Sequence, residues 1–394
     1  MKSRVLPLLI FAALLVSACQ SPKPITVTPV KSLVERPAGQ GIFYVLPRTV
    51  ISIDVTVNRI QQVPGPYAEF AGRHLGLQNV IRRPSVSYEI AEINLNSYAE
   101  PDPDQFYFVD LPNQMKEKPQ FFISLSESGL IQSINWPFNT QDFTKGTGET
   151  REIGYFGTDA TFNYFIESGL QERIDTILER VRVDTLTVER QTLRRSMVEK
   201  SPEVRAKEVA DFILKIRDKR FEIINGYAEI PYSKEALEYM YTELGQLEED
   251  YLQLFKGLTA TNKIQYRFTF IPNPELTTTP HTLFYFSERE GVLPANRRDG
   301  TPITISTEKN NATNQLGVFI NRSTDPLNPP QGFYYRIPDY ANVVIRTGNT
   351  IRADARILIS QFGVISTLPV QNERLEFYPN TGSIRSFGKP EGTD

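Results

Sequence analysis

Ile51, Ile53, Val55 and Val57 alternate with Ser52, Asp54, Thr56 and Asn58. A period of two sends every apolar side chain to one face of a strand and every polar one to the other. Such a segment belongs in an antiparallel sheet with one face wet and the other covered by a second apolar layer. Further strand-like runs follow at Val86 to Leu95, Phe106 to Leu111 and Phe121 to Trp136, the last broken by the turn-like Ser126-Glu127-Ser128-Gly129. Gly65-Pro66-Tyr67 starts a short helix, Tyr67 to Leu75, weakened by Gly72.

The C-terminal third is also mainly strand. Ile357-Leu358-Ile359-Ser360 is followed after a break by Gly363-Val364-Ile365, and Phe377-Tyr378 runs through the turn Pro379-Asn380-Thr381-Gly382 into Ile384. An internal echo links the two ends: Gly41-Ile42-Phe43-Tyr44-Val45-Leu46-Pro47 resembles Gly332-Phe333-Tyr334-Tyr335-Arg336-Ile337-Pro338. Descent of two β-regions from one would produce this, and so would chance in a chain with 18 Tyr and 24 Phe.

Between the two ends the period changes. Ser201-Pro202 caps a helix whose Val209, Phe212, Ile213, Ile216 and Ile223 share a face, and Gly226 ends it. Ser233 caps a second helix carrying Leu237, Met240, Tyr241, Leu244, Leu247, Tyr251 and Leu254, closed by Gly257. A short connection makes the two an antiparallel hairpin, with Lys207, Asp211, Lys215 and Arg217 on one outer face and Glu238, Glu248, Glu249 and Asp250 on the other. Such charged faces suit solvent, a partner groove or an interdomain strut. Ahead of the hairpin, Ile174, Ile177, Leu178 and Val181 fit a helix that changes to strand near Val181. The expected class is α+β, two β-rich, sandwich-like antiparallel regions separated by a helical hairpin. The expected divisions are a signal peptide (1–18), a lipidated cysteine and tether (19–38), an N-terminal β-rich domain (39–158), a helical region (159–258) and a C-terminal β-rich domain (259–394).

The N-terminus carries an address. Lys2 and Arg4 precede an apolar run from Val5 to Val16 that ends in Ser17 and Ala18, which is the pattern of a signal peptide. At about a dozen residues the run is shorter than the ~20 needed to cross a bilayer as a helix. Val16-Ser17-Ala18-Cys19 resembles a lipobox, in which the cysteine is acylated and becomes the new N-terminus; ordinary cleavage after Ala18 also fits the motif. Cys19 is the only cysteine, so no internal disulfide forms. Gln20 to Ala38 contains Pro22, Pro24, Pro29 and Pro37 and reads as an extended spacer reaching up to roughly 60 Å. Removing Lys2 and Arg4 from 43 basic residues leaves 41 against 46 acidic ones, and no basic stripe marks a nucleic-acid partner.

Motifs for chemistry are sparse. The two histidines, His74 and His281, are far apart in sequence, and there is no His-Glu-x-x-His, paired cysteine motif or EF-hand loop, so no metal or cofactor is assigned. A Gly-x-Ser-x-Gly elbow is missing, and the one thiol is committed to the lipid. Lys145-Gly146-Thr147-Gly148 reads as a turn rather than a phosphate loop. Asp102, Asp104, Asp110 and Asp142 lie among Tyr107, Phe108 and Trp136, a composition shared by glycan clefts and ordinary sheet loops.

Gly41 to Val50, Gly65-Pro66-Tyr67-Ala68 with Leu75-Gly76-Leu77, the helical hairpin, Ser360 to Ser366 and Phe377 to Gly382 together resemble the Bacteroidota lipoproteins grouped as domain of unknown function 4831. The resemblance covers nearly all of the mature chain, implies an envelope location, and brings no catalytic residue. Asp175-Thr176-Ile177 and Asp184-Thr185-Leu186 are similar to the short O-glycosylation acceptor of that phylum, Thr185 being the better candidate and Thr176 the other. Surface-exported lipoproteins there carry acids directly after the lipidated cysteine. Gln20-Ser21-Pro22-Lys23 departs from that pattern, which favours a periplasm-facing position on the outer membrane over the cell surface.

The resulting expectation is a non-catalytic envelope lipoprotein, held in the membrane by its lipid and acting as a binding or scaffold subunit for an envelope protein partner. The alternative is a glycan-binding or carboxylate-dependent glycan-cleaving lipoprotein.

Overall fold

The computed structural model describes residues 25–32, 40–110, 122–135, 155–156, 162, 170–183, 186–225, 233–276, 279–294, 296–323, 331–370 and 373–389. The chain is α+β and dominated by antiparallel sheet. It begins with β1 (Thr26–Pro29), β2 (Gly41–Val63) and β3 (Ser85–Asp110), with a 3₁₀ turn (Ala68–Phe70) and α1 (Ala71–Leu75) between the last two. A hairpin of β4 (Ile123–Leu125) and β5 (Ile131–Ile134) precedes β6 (Tyr155–Phe156) and a ribbon of β7 (Leu170–Val183) and β8 (Leu186–Glu199). Next come the helices α2 (Pro202–Asn225) and α3 (Lys234–Lys256), then β9 (Leu258–Phe270), β10 (His281–Ser287), β11 (Gly291–Leu293) and β12 (Thr301–Lys309). The chain closes with α4 (Asn314–Ser323), β13 (Phe333–Thr347), β14 (Thr350–Leu368), β15 (Arg374–Tyr378) and β16 (Ser383–Gly388).

Two five-stranded sheets, β1-β3-β2-β9-β6 and β11-β10-β12-β13-β14, face each other. The alternation in β2 decides how they pack: Ile51, Ile53, Val55 and Val57 are fully buried against Phe284, Ile303, Ile305, Val343, Ile345 and Ile359 of the second sheet. At about 25 cal/mol per Å² of apolar surface removed from water, this layer is a principal source of stability. A smaller sheet, β16-β15-β5-β4, joins the two short hairpins edge to edge. It encloses a second core with Tyr44, Leu46, Tyr107, Phe333 and Phe377. Strands from both ends of the chain therefore share sheets, since β9 pairs with β2 and β15 with β5.

Several local expectations change. The runs at Val86 and Phe106 belong to one strand, β3, whose prolines Pro101 and Pro103 are accommodated at a bulge. The break before Gly363 is likewise an interruption within β14. The helix expected over Ile174 to Val181 is strand, because β7 finds an in-register partner in β8 from Leu170↔Glu199 to Val183↔Leu186. Spacing of three and four is a weak prior that cross-strand pairing overrides. The spacer expected over Gln20 to Ala38 is interrupted: Thr26 to Pro29 pair with Asp110 to Tyr107, and Val27 enters the second core.

The helices follow the sequence signals more closely. Ser201 accepts from Val204 N at 3.3 Å, and Ser233 Oγ accepts from Ala236 N at 3.3 Å. Gly257, at φ +89, ends α3. The base of the hairpin packs Val209, Ile213, Tyr251 and Phe255 against Tyr67 and Ala71. Two backbone bonds, Tyr67 N to Leu254 O at 2.9 Å and Ile81 N to Lys256 O at 2.8 Å, fix it to the loop after β2.

A side chain at Gly363 would collide with the Ile337 carbonyl across the bulge. Gly363→Val is expected to cost about 1–3 kcal/mol through overpacking, seen as a lower urea midpoint.

Candidate functional site

The two echo segments each lie at a bulge in a long strand pair, the bulges being offset by one residue in the echo alignment. In the first, Val45 pairs with Phe106 and Pro47 with Pro101, so the single residue Leu46 stands opposite residues 102–105. In the second, Ile337 pairs with Val364 and Asp339 with Ile359, so Pro338 stands opposite residues 360–363. Val45 N donates to the carbonyl of Gly129 in the β4–β5 turn at 3.1 Å, and Arg336 N donates to Gly382 in the β15–β16 turn at 2.8 Å. A long strand pair, a one-against-four bulge and a short hairpin bonded to it by a glycine thus occur twice.

Each bulge reaches into the other half. From the first, Asp102 accepts Arg336 Nη2 at 2.6 Å, while Arg336 Nη1 donates to the Pro47 carbonyl at 2.8 Å. Both side chains of this ion pair are at most 10% exposed. From the second, Gln361 imitates a strand backbone: its Oε1 accepts Thr49 N at 2.9 Å and its Nε2 donates to Thr49 O at 2.9 Å. Beside it, Ser360 N donates to Thr49 Oγ1 at 2.9 Å. Next to the ion pair, Tyr44 Oη accepts Tyr334 N at 2.8 Å, and the Tyr107 ring stacks between Tyr44 and Tyr334 at 5.2 and 4.3 Å. Burial pushes the phenols of Tyr44 and Tyr107 far above their ordinary range, so both stay neutral.

This seam clarifies the carboxylates singled out in the sequence. Asp102 is occupied by Arg336 in a closed environment, and Asp104 pairs with Lys31 at 2.6 Å on the surface. Asp110 is exposed at the end of β3, whereas Tyr107 and Phe108 are buried. Trp136, Asp142, the loop at Lys145, Cys19 and Thr185 lie outside the described residues. Thr176 is exposed on β7. His74 sits on α1 beside Phe70 and His281 on β10 beside Phe270. Among the described residues, no group of three or more His, Cys, Asp or Glu side chains could hold a metal ion.

Among the described residues, two shallow depressions lie on the surface. On the wet face of the first sheet, Asp54, Glu92, Asn94, Asn96, Gln265 and Arg267 line a polar depression of about 280 Å³. Arg267 Nε donates to Asp54 at 2.6 Å across it. Toward the connecting end of the hairpin, Ile223, Ile224, Leu237 and Tyr241 line an apolar depression of about 480 Å³. Phe221, Ile224 and Tyr239 are largely exposed nearby. Glu248 holds the two helices together here, accepting from Arg217 at 2.8 Å and from Arg220, whose guanidinium also covers the Tyr241 ring at 4.5 Å. Burial alone would raise the Glu248 carboxyl; Arg217 and Arg220 outweigh it and lower it below the usual carboxylate range.

The long-range contacts had almost no local signature. Arg336 and Asp102 are separated by 234 residues and Thr49 and Gln361 by 312. The one trace was the echo, in which a charged Arg336 stands at the place of the apolar Val45.

Arg336→Met is expected to destabilise the fold by about 3–5 kcal/mol, because it strands Asp102 without its partner. Arg336→Met with Asp102→Leu should recover much of that loss in a urea double-mutant cycle. For Glu248, a lowered folded pKa means that its stabilisation is complete above the unfolded value of ~4.3 and is lost as pH falls through the folded value. Acid should therefore weaken the outer half of the hairpin, measured as helical circular dichroism, and Glu248→Gln should flatten that dependence.

A family model described as Domain of unknown function (DUF4831) matches residues 40–155 and 171–385. No curated protein and no solved structure matches the chain.

Proposed function

The chain belongs to the DUF4831 family, and on that premise we propose that it is a non-catalytic lipoprotein of the cell envelope. In this reading a lipid on Cys19 holds it at the periplasmic face of the outer membrane, where it is a binding or scaffold subunit for another envelope protein. The separation of its two ends carries the proposal. The segment from Cys19 joins the sheet at Thr26, across Asp110 from Gly41, and the helical hairpin docks past Val63 at the other end of β2. The 22 steps from Gly41 to Val63 span at most about 70 Å at ~3.3 Å per residue. The sheet then serves as a spacer that presents the exposed Phe221, Ile224 and Tyr239 away from the anchor.

The protein purified at native expression from detergent-solubilised membranes should bring down a stoichiometric partner. Phe221→Glu with Ile224→Glu should abolish that recovery while leaving the helical signal unchanged. Recovery of the wild-type protein alone would sink the scaffold reading.

One observation favours glycan binding as a second reading. Tyr98 is half exposed on the same face of β3 as Asn94 and Asn96, at the end of the polar depression. An aromatic ring beside amides suits a sugar, and calorimetry with envelope glycans should then lose its heat signal in Tyr98→Ala.

A further inference from the structure

We propose that the face of the first sheet bearing Phe43 and Phe106 rests on the lipid surface that anchors Cys19, so that the protein stands on the membrane rather than swinging from a long leash. The inference depends on the lipidation of Cys19 proposed above.

It follows from how little chain separates that cysteine from the fold. β1 is hydrogen-bonded to β3 from Thr26 onward, and Val27 is buried in the second core. Only residues 20–25 lie between Cys19 and Thr26. Fully extended, this stretch spans about 25 Å, less than half of the roughly 60 Å that a free spacer through Ala38 would reach. Thr26, Asp110 and Gly41 are neighbours across three adjacent strands, with about 4.8 Å between strands. Phe43 is two residues farther along β2, which puts it roughly 12 Å from the point where the tether enters.

The register sets the character of this end. Phe43 pairs with Phe108 and Val45 with Phe106, so these four apolar side chains share one face, while Tyr44 and Tyr107 turn into the core. Phe108 lies over Gly41, where a side chain would collide with its ring, and Phe43 packs on it at 5.0 Å. Phe43 and Phe106 remain 53% and 39% exposed. Among the described residues at this end, the charge of Lys31 is matched by Asp104 at 2.6 Å. Attraction to lipid would therefore come from aromatic burial in the interface and should be insensitive to salt.

A single reporter tests this, because Cys19 is the only native cysteine and is blocked when acylated. Full-length protein carrying Phe106→Cys, or Thr28→Cys on the adjacent strand, is labelled with an environment-sensitive fluorophore. It is then reconstituted in vesicles of phosphatidylethanolamine and phosphatidylglycerol. A label at Thr259→Cys, near the hairpin end of β9, is the control. The expected result is a blue shift and several-fold stronger quenching by lipid-borne quenchers at positions 106 and 28 than at 259, unchanged in high salt. Equal exposure to water at all three positions overturns the proposal, as does shielding from aqueous quenchers without access for lipid-borne ones, which would indicate a protein partner. Mass analysis of the N-terminal peptide separates the two claims: an acylated protein with water-exposed labels refutes only the seating on lipid, and an unacylated one refutes the anchor as well.

Discussion

The fold turns on a reciprocal exchange between its two halves. Asp102, carried on the bulge of the first sheet, neutralises Arg336 of the second, and Gln361, carried on the bulge of the second, completes the backbone of Thr49 in the first. Neither half could bury these groups alone. An isolated guanidinium or carboxylate in such an environment loses several kcal/mol of hydration, and an unpaired strand amide loses a hydrogen bond. The apolar layer between the sheets supplies most of the attraction and is tolerant of small shifts. The polar exchange is directional, so it sets the register in which the two sheets meet.

That register gives the molecule two unlike ends. Around Gly41 the strands β1, β3 and β2 lie side by side, with aromatic residues outside and the stacked tyrosines within. Beyond Val63 the sheet gives way to a helical hairpin held by backbone bonds at its base and by the Glu248 ion pairs farther out. The unbroken pairing of β9 with β2 stiffens the path between the ends from Ile51 to Val63. A rigid connector of this kind would suit the proposed scaffold role, in which an anchor lies at one end and a partner at the other.

Some of the candidate site could be read from the residues in order. The hairpin helices announced themselves through Ser201, Ser233 and Gly257, because caps act within a few residues of the positions that need them. The tight turns at Gly129 and Gly382 did so as well, since positive φ selects glycine locally. Asp102 stood out for its aromatic neighbours, yet its role comes from Arg336, a residue no local pattern points to. The ribbon β7–β8 departs from the helix its spacing suggests because spacings of three and four occur by chance in a strand of mixed residues, and only the partner strand resolves them.

Sequence alone determined the elements that depend on near neighbours: the alternation that buries one face of β2, the two amphipathic helices with their caps, and the short turns. Tertiary structure decided which strands share a sheet, how the two bulges interlock, and that Thr26 to Pro29 belong to the body instead of a spacer. The physical reason is range. Periodicity and capping are satisfied within a turn or two of the chain, whereas a buried charge or an unpaired strand edge is satisfied by whichever group the closed fold brings to it, and here those groups lie hundreds of residues away.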